Sequence, residues 1–350
     1  MKNNPPVTAC TVPPSFTQGG LGNSKYLNIP TNLQFSPKGD SLKKTIKTIV
    51  EKQMNTKVKY VRECGKGASG SVYRVRISSE PYILAVKHSK FYDNMIKEKA
   101  MLDFLSARVS YKVPKTYFLY EENGTAFLAM DFIKGISGKS KLIKFIPNRN
   151  RLKNSIIDAL MNAQSVQNDK FGKYDNPVYD TWHYYYRNYF EEIYGFTKSK
   201  YVKNEIEAEI MQAVEIIDNN FDKIFLNTSG KACLCHGDFW MPNLIIDFWK
   251  SELAGAVDPF DMLWAEPEYE LFCLTLGFGE TLGLYEEYKK RNQTSVYCDL
   301  KVEIYALCNE LNWYILLGEM GHDYLLFRAK RLIEKAERIG VNIENQSNDC

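Results

Sequence analysis

This chain has no long apolar run, no disulfide framework and almost no net charge, and each absence excludes a class of protein. A membrane-spanning helix needs about 20 consecutive apolar residues, and the sequence holds no such run. Lys2 is not followed by the apolar core of a secretory signal, so a cytoplasmic location is expected. The eight cysteines do not form a disulfide framework. Cys10, Cys64, Cys273, Cys298, Cys308 and Cys350 are scattered along the chain, which fits a reducing compartment. Cys233-Leu234-Cys235-His236 invites a metal reading, but no second Cys/His pair supplies the remaining ligands of a closed zinc site, so buried small residues on a strand are expected. The formal net charge is only +3, with cations and acids interspersed, so neither nucleic acid nor an anionic membrane is expected as a partner.

What is present is a globular composition, 45% apolar and 25% charged, on a chain long enough for about two domains and a sizeable core. Residues 1–40 are rich in Pro, Gly, Asn, Ser and Thr and read as a flexible N-terminal extension. Asp40-Ser41 is a helix start signal, and Leu42, Ile46, Ile49 and Val50 then recur at helical spacing to about residue 54. Residues 57–61 alternate as a strand leading into Gly65-Lys66-Gly67-Ala68-Ser69-Gly70-Ser71-Val72, a G-x-G-x-x-G-x-V pattern. Its glycines let a hairpin backbone approach phosphates, and Val72 can lie against an adenine. A dinucleotide-binding fingerprint uses the same letters but opens a helix, whereas Val72 to Ile77 alternates as a second strand.

The strand Tyr82 to Lys87 ends in a lysine that can reach α- and β-phosphates if an acid fixes it. Glu98, on the helix whose apolar stripe is Met101, Leu102, Phe104 and Leu105, is the candidate acid. Glu122-Asn123-Gly124 signals a hairpin. Asp131 to Gly135 closes the strand-rich part and makes a hinge, where main-chain groups of Asp131 and Ile133 could pair with an adenine edge. Long helices are expected from 135 to about 225, with the aromatic run Trp182 to Phe190 buried between helices or lining an acceptor pocket. Cys235-His236-Gly237-Asp238-Phe239-Trp240-Met241-Pro242-Asn243 lies between two short apolar strands. A tight loop there can aim Asp238 and Asn243 at one small volume, one to accept a hydroxyl proton and one to help hold Mg²⁺ on phosphates. Asp258, at the end of the strand Leu253 to Val257, can join Asn243 on the same metal. Residues 267–340 read as helical again; Glu270 and Glu310 could attract a cationic amine, although most acids so placed are solvated or pair along a helix.

The order of these parts over roughly residues 57–340 resembles the kinase set. His236-Gly237-Asp238, the Glu98 helix and Val113-Pro114 are similar to the aminoglycoside phosphotransferase branch of the protein-kinase-like superfamily. Val257-Asp258-Pro259, Phe239-Trp240 and Tyr179-Asp180-Thr181-Trp182 lean toward its fructosamine kinase relatives. The resemblance implies an α+β bilobal fold: a small antiparallel-sheet lobe over 41–133, a larger helical lobe over 134–340 and a tail over 341–350. It implies ATP and Mg²⁺ as cofactors, with Asp238 as base, Asn243 and Asp258 on the metal, and Lys87 fixed by Glu98. Gly65, Gly67, Ser69, Gly70 and Val72 would cover the nucleotide, with His236 bracing the loop. The expected activity is phosphorylation of a hydroxyl on a small molecule, an amino sugar, fructosamine or aminoglycoside, by a monomer or weak homodimer. A protein kinase and a nucleotide-binding pseudokinase are the alternatives. Against the first, only seven residues separate Asp258 from Glu266, too few for an activation segment.

Overall fold

The computed structural model describes residues 39–67, 70–226, 230–318 and 321–341. The N-terminal extension expected over 1–40 falls outside them up to residue 38, as does the tail from 342 onward. Helix α1 (Gly39–Met54) precedes the strands β1 (Val58–Gly67), β2 (Gly70–Ile77) and β3 (Ile83–Ser89), helix α2 (Tyr92–Ser106), and the strands β4 (Thr116–Glu122) and β5 (Thr125–Asp131). The five strands form one antiparallel sheet in the order β1-β2-β3-β5-β4. Asn123 and Gly124 both have positive φ, 53° and 69°, as a two-residue turn matched to strand twist requires.

The sheet is covered on both faces. Leu42, Ile46, Ile49 and Val50, spaced to share one side of α1, pack on Tyr73, Val75, Leu84, Val86, Phe127 and Ala129. Each such aliphatic side chain stabilises the contact by roughly 1.5–3 kcal/mol. The opposite face meets α2, whose buried side is Met95, Glu98, Met101, Leu102 and Leu105.

The remainder carries short strands between 135 and about 225, where only long helices are expected, as well as the strands expected on either side of the Asp238 loop. It holds β6 (Ile136–Ser137), a 3₁₀ turn (Lys141–Phe145), α3 (Arg149–Ser165), β7 (Gln167–Asn168), β8 (Phe171–Lys173) and β9 (Asn176–Tyr179). Then come α4 (Trp182–Val202), α5 (Ala208–Asn219), α6 (Phe221–Phe225), β10 (Ala232–Cys235), β11 (Leu244–Asp247), β12 (Glu252–Ala256) and β13 (Leu263–Ala265). After a 3₁₀ segment (Tyr269–Thr275) follow α7 (Phe278–Leu282), α8 (Leu284–Arg291), α9 (Cys298–Leu317) and α10 (His322–Arg338). The short strands exist because they find distant partners: β6 pairs with β11, and β7, β10, β13, β8 and β9 lie side by side in one sheet. On α4, Trp182, Tyr186 and Phe190 are buried, as expected of helix packing, whereas Tyr184 faces solvent. Cys233 and Cys235 are buried on β10. No helix among the described residues is long and apolar enough to cross a membrane.

Candidate active site

Strand register places Gly65, Val72, Lys87 and Leu128 opposite one another across β1, β2, β3 and β5. Directly paired residues share a face, so Lys87 projects from the sheet beside Val72 toward α2. There its Nζ lies 2.7 Å from Glu98 Oε2 and 2.6 Å from Asp258 Oδ1. The second contact bridges 171 positions of sequence and ties the N-terminal sheet to the segment after β12. Burial alone would lower the pKa of Lys87, but Asp258 and Glu98 outweigh it and hold the ammonium above its usual range. Glu98 moves up as well, because burial and the charge of Asp258 exceed the attraction of Lys87. One cation thus serves two acids.

The glycines of the first hairpin differ in what they are for. A Cβ on Gly70, whose φ is +153°, would sit 1.8 Å from the His88 carbonyl oxygen, so the close pairing of β2 with β3 demands glycine there. A Cβ on Gly65 would meet only Val72, at 3.7 Å, an ordinary contact. Packing within the chain therefore does not demand glycine at position 65. Gly67 pairs with Gly70 at the hairpin tip, and Ser69 lies outside the described residues. At the hinge, the Asp131 N–H donates to the Lys115 carbonyl at 2.9 Å, and the Asp131 carboxylate accepts from Tyr117 Oη at 2.7 Å. Its main-chain N–H is therefore already engaged within the lobe. Ile133 is buried nearby, its side chain close to Gly255.

Between β10 and β11 the chain makes the Asp238–Asn243 loop, ending in a 3₁₀ turn at Met241–Asn243. Asn243 Nδ2 donates to Asp238 Oδ2 at 2.6 Å and to the Asp238 carbonyl at 3.1 Å. Both partners are acceptors, so the amide nitrogen must face them and the amide oxygen of Asn243 faces elsewhere. Val257 N–H donates to the Asn243 carbonyl at 2.9 Å, which sets Asp258 beside that loop. Asp258 itself has φ +60°, a left-handed backbone that turns it back toward Lys87. Burial and the neighbouring Asp258 charge push the Asp238 carboxyl up to about 8, with the Asn243 hydrogen bond pulling the other way.

Among the described residues no cluster of three or more His, Cys, Asp or Glu side chains could cage a metal. Mg²⁺ does not require one, since it takes one or two protein oxygens and completes its shell with phosphates and water. The Asn243 amide oxygen and the Asp258 carboxylate fit that need.

Glu270 is neither solvated nor free to meet an acceptor amine. It is buried beneath the loop, where its carboxylate accepts from the N–H groups of His236 (3.1 Å) and Gly237 (2.7 Å). Burial raises its carboxyl to about 7 against the pull of those amides. We expect Glu270→Gln, which can accept only one of these bonds, to cost about 1–3 kcal/mol of stability. It should also lower turnover while leaving ATP affinity in place; melting curves and kinetics on the variant check this. Gly237 has φ +82°, and a Cβ on it would come within 1.7 Å of the Phe260 carbonyl oxygen. Phe260 N–H in turn donates to the His236 carbonyl at 3.2 Å. The His236 ring is buried with neither nitrogen bonded, and burial lowers its pKa to about 4, so it is neutral. The brace is thus the main chain of His236 rather than its imidazole.

One acid near the site went unnoticed in the sequence. Asp261, with φ +44°, has its backbone against the Gly237 position. Burial raises its pKa, with Lys173 and Lys97 close enough to oppose the shift. The phenols of Tyr185, Tyr189 and Tyr269 feel its charge. Asp258-Pro259-Phe260-Asp261 reads as a D-x-x-D turn, a signal that could have drawn attention to it. Glu310 is half-buried on α9, pushed up to about 7 by burial with Arg328 opposing.

An antiparallel five-stranded lobe carrying a lysine–glutamate pair, followed by a mainly helical part with an Asp-x₄-Asn loop, defines the bilobal protein-kinase-like fold. The sequence profile of the phosphotransferase enzyme family (APH) matches residues 61–297, and the chain belongs to that family. A proposed fructosamine-3-kinase of Haemophilus somnus 129PT is similar in structure, with a TM-score of 0.60 at 15% identity, covering 82% of this chain and 96% of that one. The aminoglycoside phosphotransferase APH(4)-Ia, as a thermostable mutant with ADP and hygromycin B, reaches a TM-score of 0.65 at 13% identity over 86% of this chain and 99% of its own. The uncharacterised protein YcbJ of Escherichia coli K12 is 26% identical over 157 residues, 44% of this chain. The matched region spans about half the length of that curated relative, 52%.

Proposed function

We propose that this chain is an ATP- and Mg²⁺-dependent phosphotransferase that moves the γ-phosphoryl group to a hydroxyl of a small molecule. The observation that carries the reading is Lys87 held between Glu98 and Asp258, with the Asp238–Asn243 pair beside them. In this reading Lys87 binds the α- and β-phosphates, the hairpin of Gly65, Gly67, Ser69 and Gly70 covers them, and Val72 and the main chain of Asp131 and Ile133 meet the adenine. Asn243 and Asp258 hold Mg²⁺, which when bound offsets charge on the phosphate oxygens. Asp238 accepts the proton of the acceptor hydroxyl. Glu270 keeps the loop in place for that contact.

The acceptor is an amine-bearing polyol such as an amino sugar, a fructosamine or an aminoglycoside. Asp261, beside the Gly237 backbone and among Tyr185, Tyr189 and Tyr269, is the carboxyl that supports an amine-bearing acceptor. A protein substrate fits less well, because only Pro259 to Met262 separate Asp258 from β13, which is already paired in a sheet. The test is ADP release over a panel of amino sugars, fructosamines, aminoglycosides and choline. Acceptor-dependent release is expected from at least one amine-bearing polyol. Labelling of protein substrates instead, or release that ignores the acceptor, contradicts the proposal.

A further inference from the structure

Although cations and acids mix along most of the chain, the stretch between Asp131 and Asp158 holds seven lysines and arginines and no acid. Arg151 pairs with Glu252 and Lys153 with Glu287. Lys134, Lys139, Lys141 and Lys144 are exposed and make no ion pair among the described residues. Within this stretch lies the 3₁₀ turn Lys141–Phe145, on which residues three apart stand in line. The alignment yields three ridges. Ile143 and Ile146 point into the core, Lys141 and Lys144 form a basic ridge, and Leu142 (54% exposed) and Phe145 (73% exposed) form an apolar ridge facing water.

The turn between β11 and β12 lies alongside, fastened by the Asn148 N–H on Ser251 Oγ at 3.1 Å. It carries Trp249, 84% exposed, standing edge-on to Phe248 at 5.1 Å. This edge is also tied to the active-site loop: Ser137 Oγ donates to the Pro242 carbonyl at 2.8 Å, and the Gly138 N–H to that of Leu244 at 2.9 Å.

We infer that this face, with Leu142, Phe145 and Trp249 at its tip and lysines around it, docks on an anionic phospholipid surface. Apolar tips that enter the headgroup layer while lysines reach anionic lipids are how a non-spanning protein holds to a bilayer. A second copy of the chain is a poor occupant, because a two-fold contact would set this unpaired positive charge against itself. RNA is a poor one too, since Leu142 has no face on which a base can stack and most of the cations are lysines rather than guanidinium forks.

The experiment is cosedimentation of the full chain with phosphatidylcholine vesicles, with and without phosphatidylserine. Binding is expected only with phosphatidylserine and should weaken as salt screens it. A lysine near such a surface is worth about fivefold in partitioning, so Lys139→Gln, Lys141→Gln and Lys144→Gln together should lose roughly a hundredfold. Leu142→Ser, Phe145→Ser and Trp249→Ser together should abolish binding with an unchanged melting transition. Of the other tryptophans, Trp182, Trp240 and Trp264 are buried and Trp313 is half-buried against Phe260, so a blue shift of emission on binding should disappear in Trp249→Phe and persist in Trp313→Phe. The inference is overturned by folded wild type staying in the supernatant, equal binding to neutral vesicles, undiminished binding by both multiple variants, or preferential retention on polyuridylate. A dimer formed through this face, removed by the serine variant, overturns it as well.

Discussion

Asp238→Asn should be inactive yet more stable than the wild type in the absence of ligands. Loss of a positioned base costs about 10²–10⁴ in rate, and an asparagine here can still present its amide oxygen to Asn243 Nδ2, so the loop is not disturbed. Stability should rise because a half-buried carboxylate beside Asp258 is removed. After discounting for the part that reaches solvent, we expect about 2 kcal/mol near pH 8, or about 3 °C in melting temperature for a chain of this size. The pH dependence has a definite sign. The folded pKa values of Asp238 and Glu270 lie above ordinary carboxyl values, at about 8 and about 7. Their contribution is complete at low pH and is lost as pH rises through those values. The ligand-free protein should therefore melt lower at pH 8 than at pH 6, with a smaller difference in Asp238→Asn. Calorimetry on both proteins across that range is the check; a variant that turns over normally removes the role given to Asp238.

Lys87→Met is the second large effect, in the opposite direction for stability. It leaves the carboxylates of Glu98 and Asp258, now 2.7 and 2.6 Å from Nζ, without their shared cation. Breaking a buried pair by removing one partner costs about 3–5 kcal/mol. Part is recovered because Glu98, whose pKa burial already raises, can take up a proton. We expect about 3 kcal/mol at pH 8 and less at pH 6, together with weakened ATP binding. Adding Glu98→Leu should restore much of the stability and none of the ATP binding. Chemical denaturation of the single and double variants separates the pair's energy from its role in binding. Equal stability of wild type and Lys87→Met would mean that the two acids are not held by this lysine in solution.

The parts of the molecule behind these two effects were legible in the sequence to different degrees. The sheet lobe was readable because β1 to β5 are long enough for alternation to show and, apart from the α2 connection between β3 and β4, are joined by short turns whose chemistry is local, such as Asn123-Gly124. Lys87, Asp238, Asn243 and Asp258 stood out because they sit at strand ends or within one loop, at spacings a reader can measure. The structure brings Lys87, Glu98 and Asp258 into contact and sets Asp238 against Asn243. The strands β6 to β9 were not readable. A segment of two to four residues carries no period, and those strands exist because β11, β10 and β13 offer edges to β6, β7 and β8, with β9 pairing on β8 in turn. Glu270 was misjudged for a related reason. Its carboxylate serves amides 33 and 34 positions away, and local sequence cannot distinguish such an acid from a solvated one. Gly237 and Gly70 show the same dependence, each being glycine because another strand or turn passes within van der Waals reach.

Calorimetric titration with ATP tests most directly whether these side chains share one nucleotide–metal cleft. The account predicts that wild type binds ATP in a Mg²⁺-dependent manner, that Asp258→Asn loses the Mg²⁺ dependence along with most of the affinity, and that Asp238→Asn binds nearly as wild type does. Equal ATP binding by wild type and Asp258→Asn, or binding unaffected by removal of Mg²⁺, would contradict it.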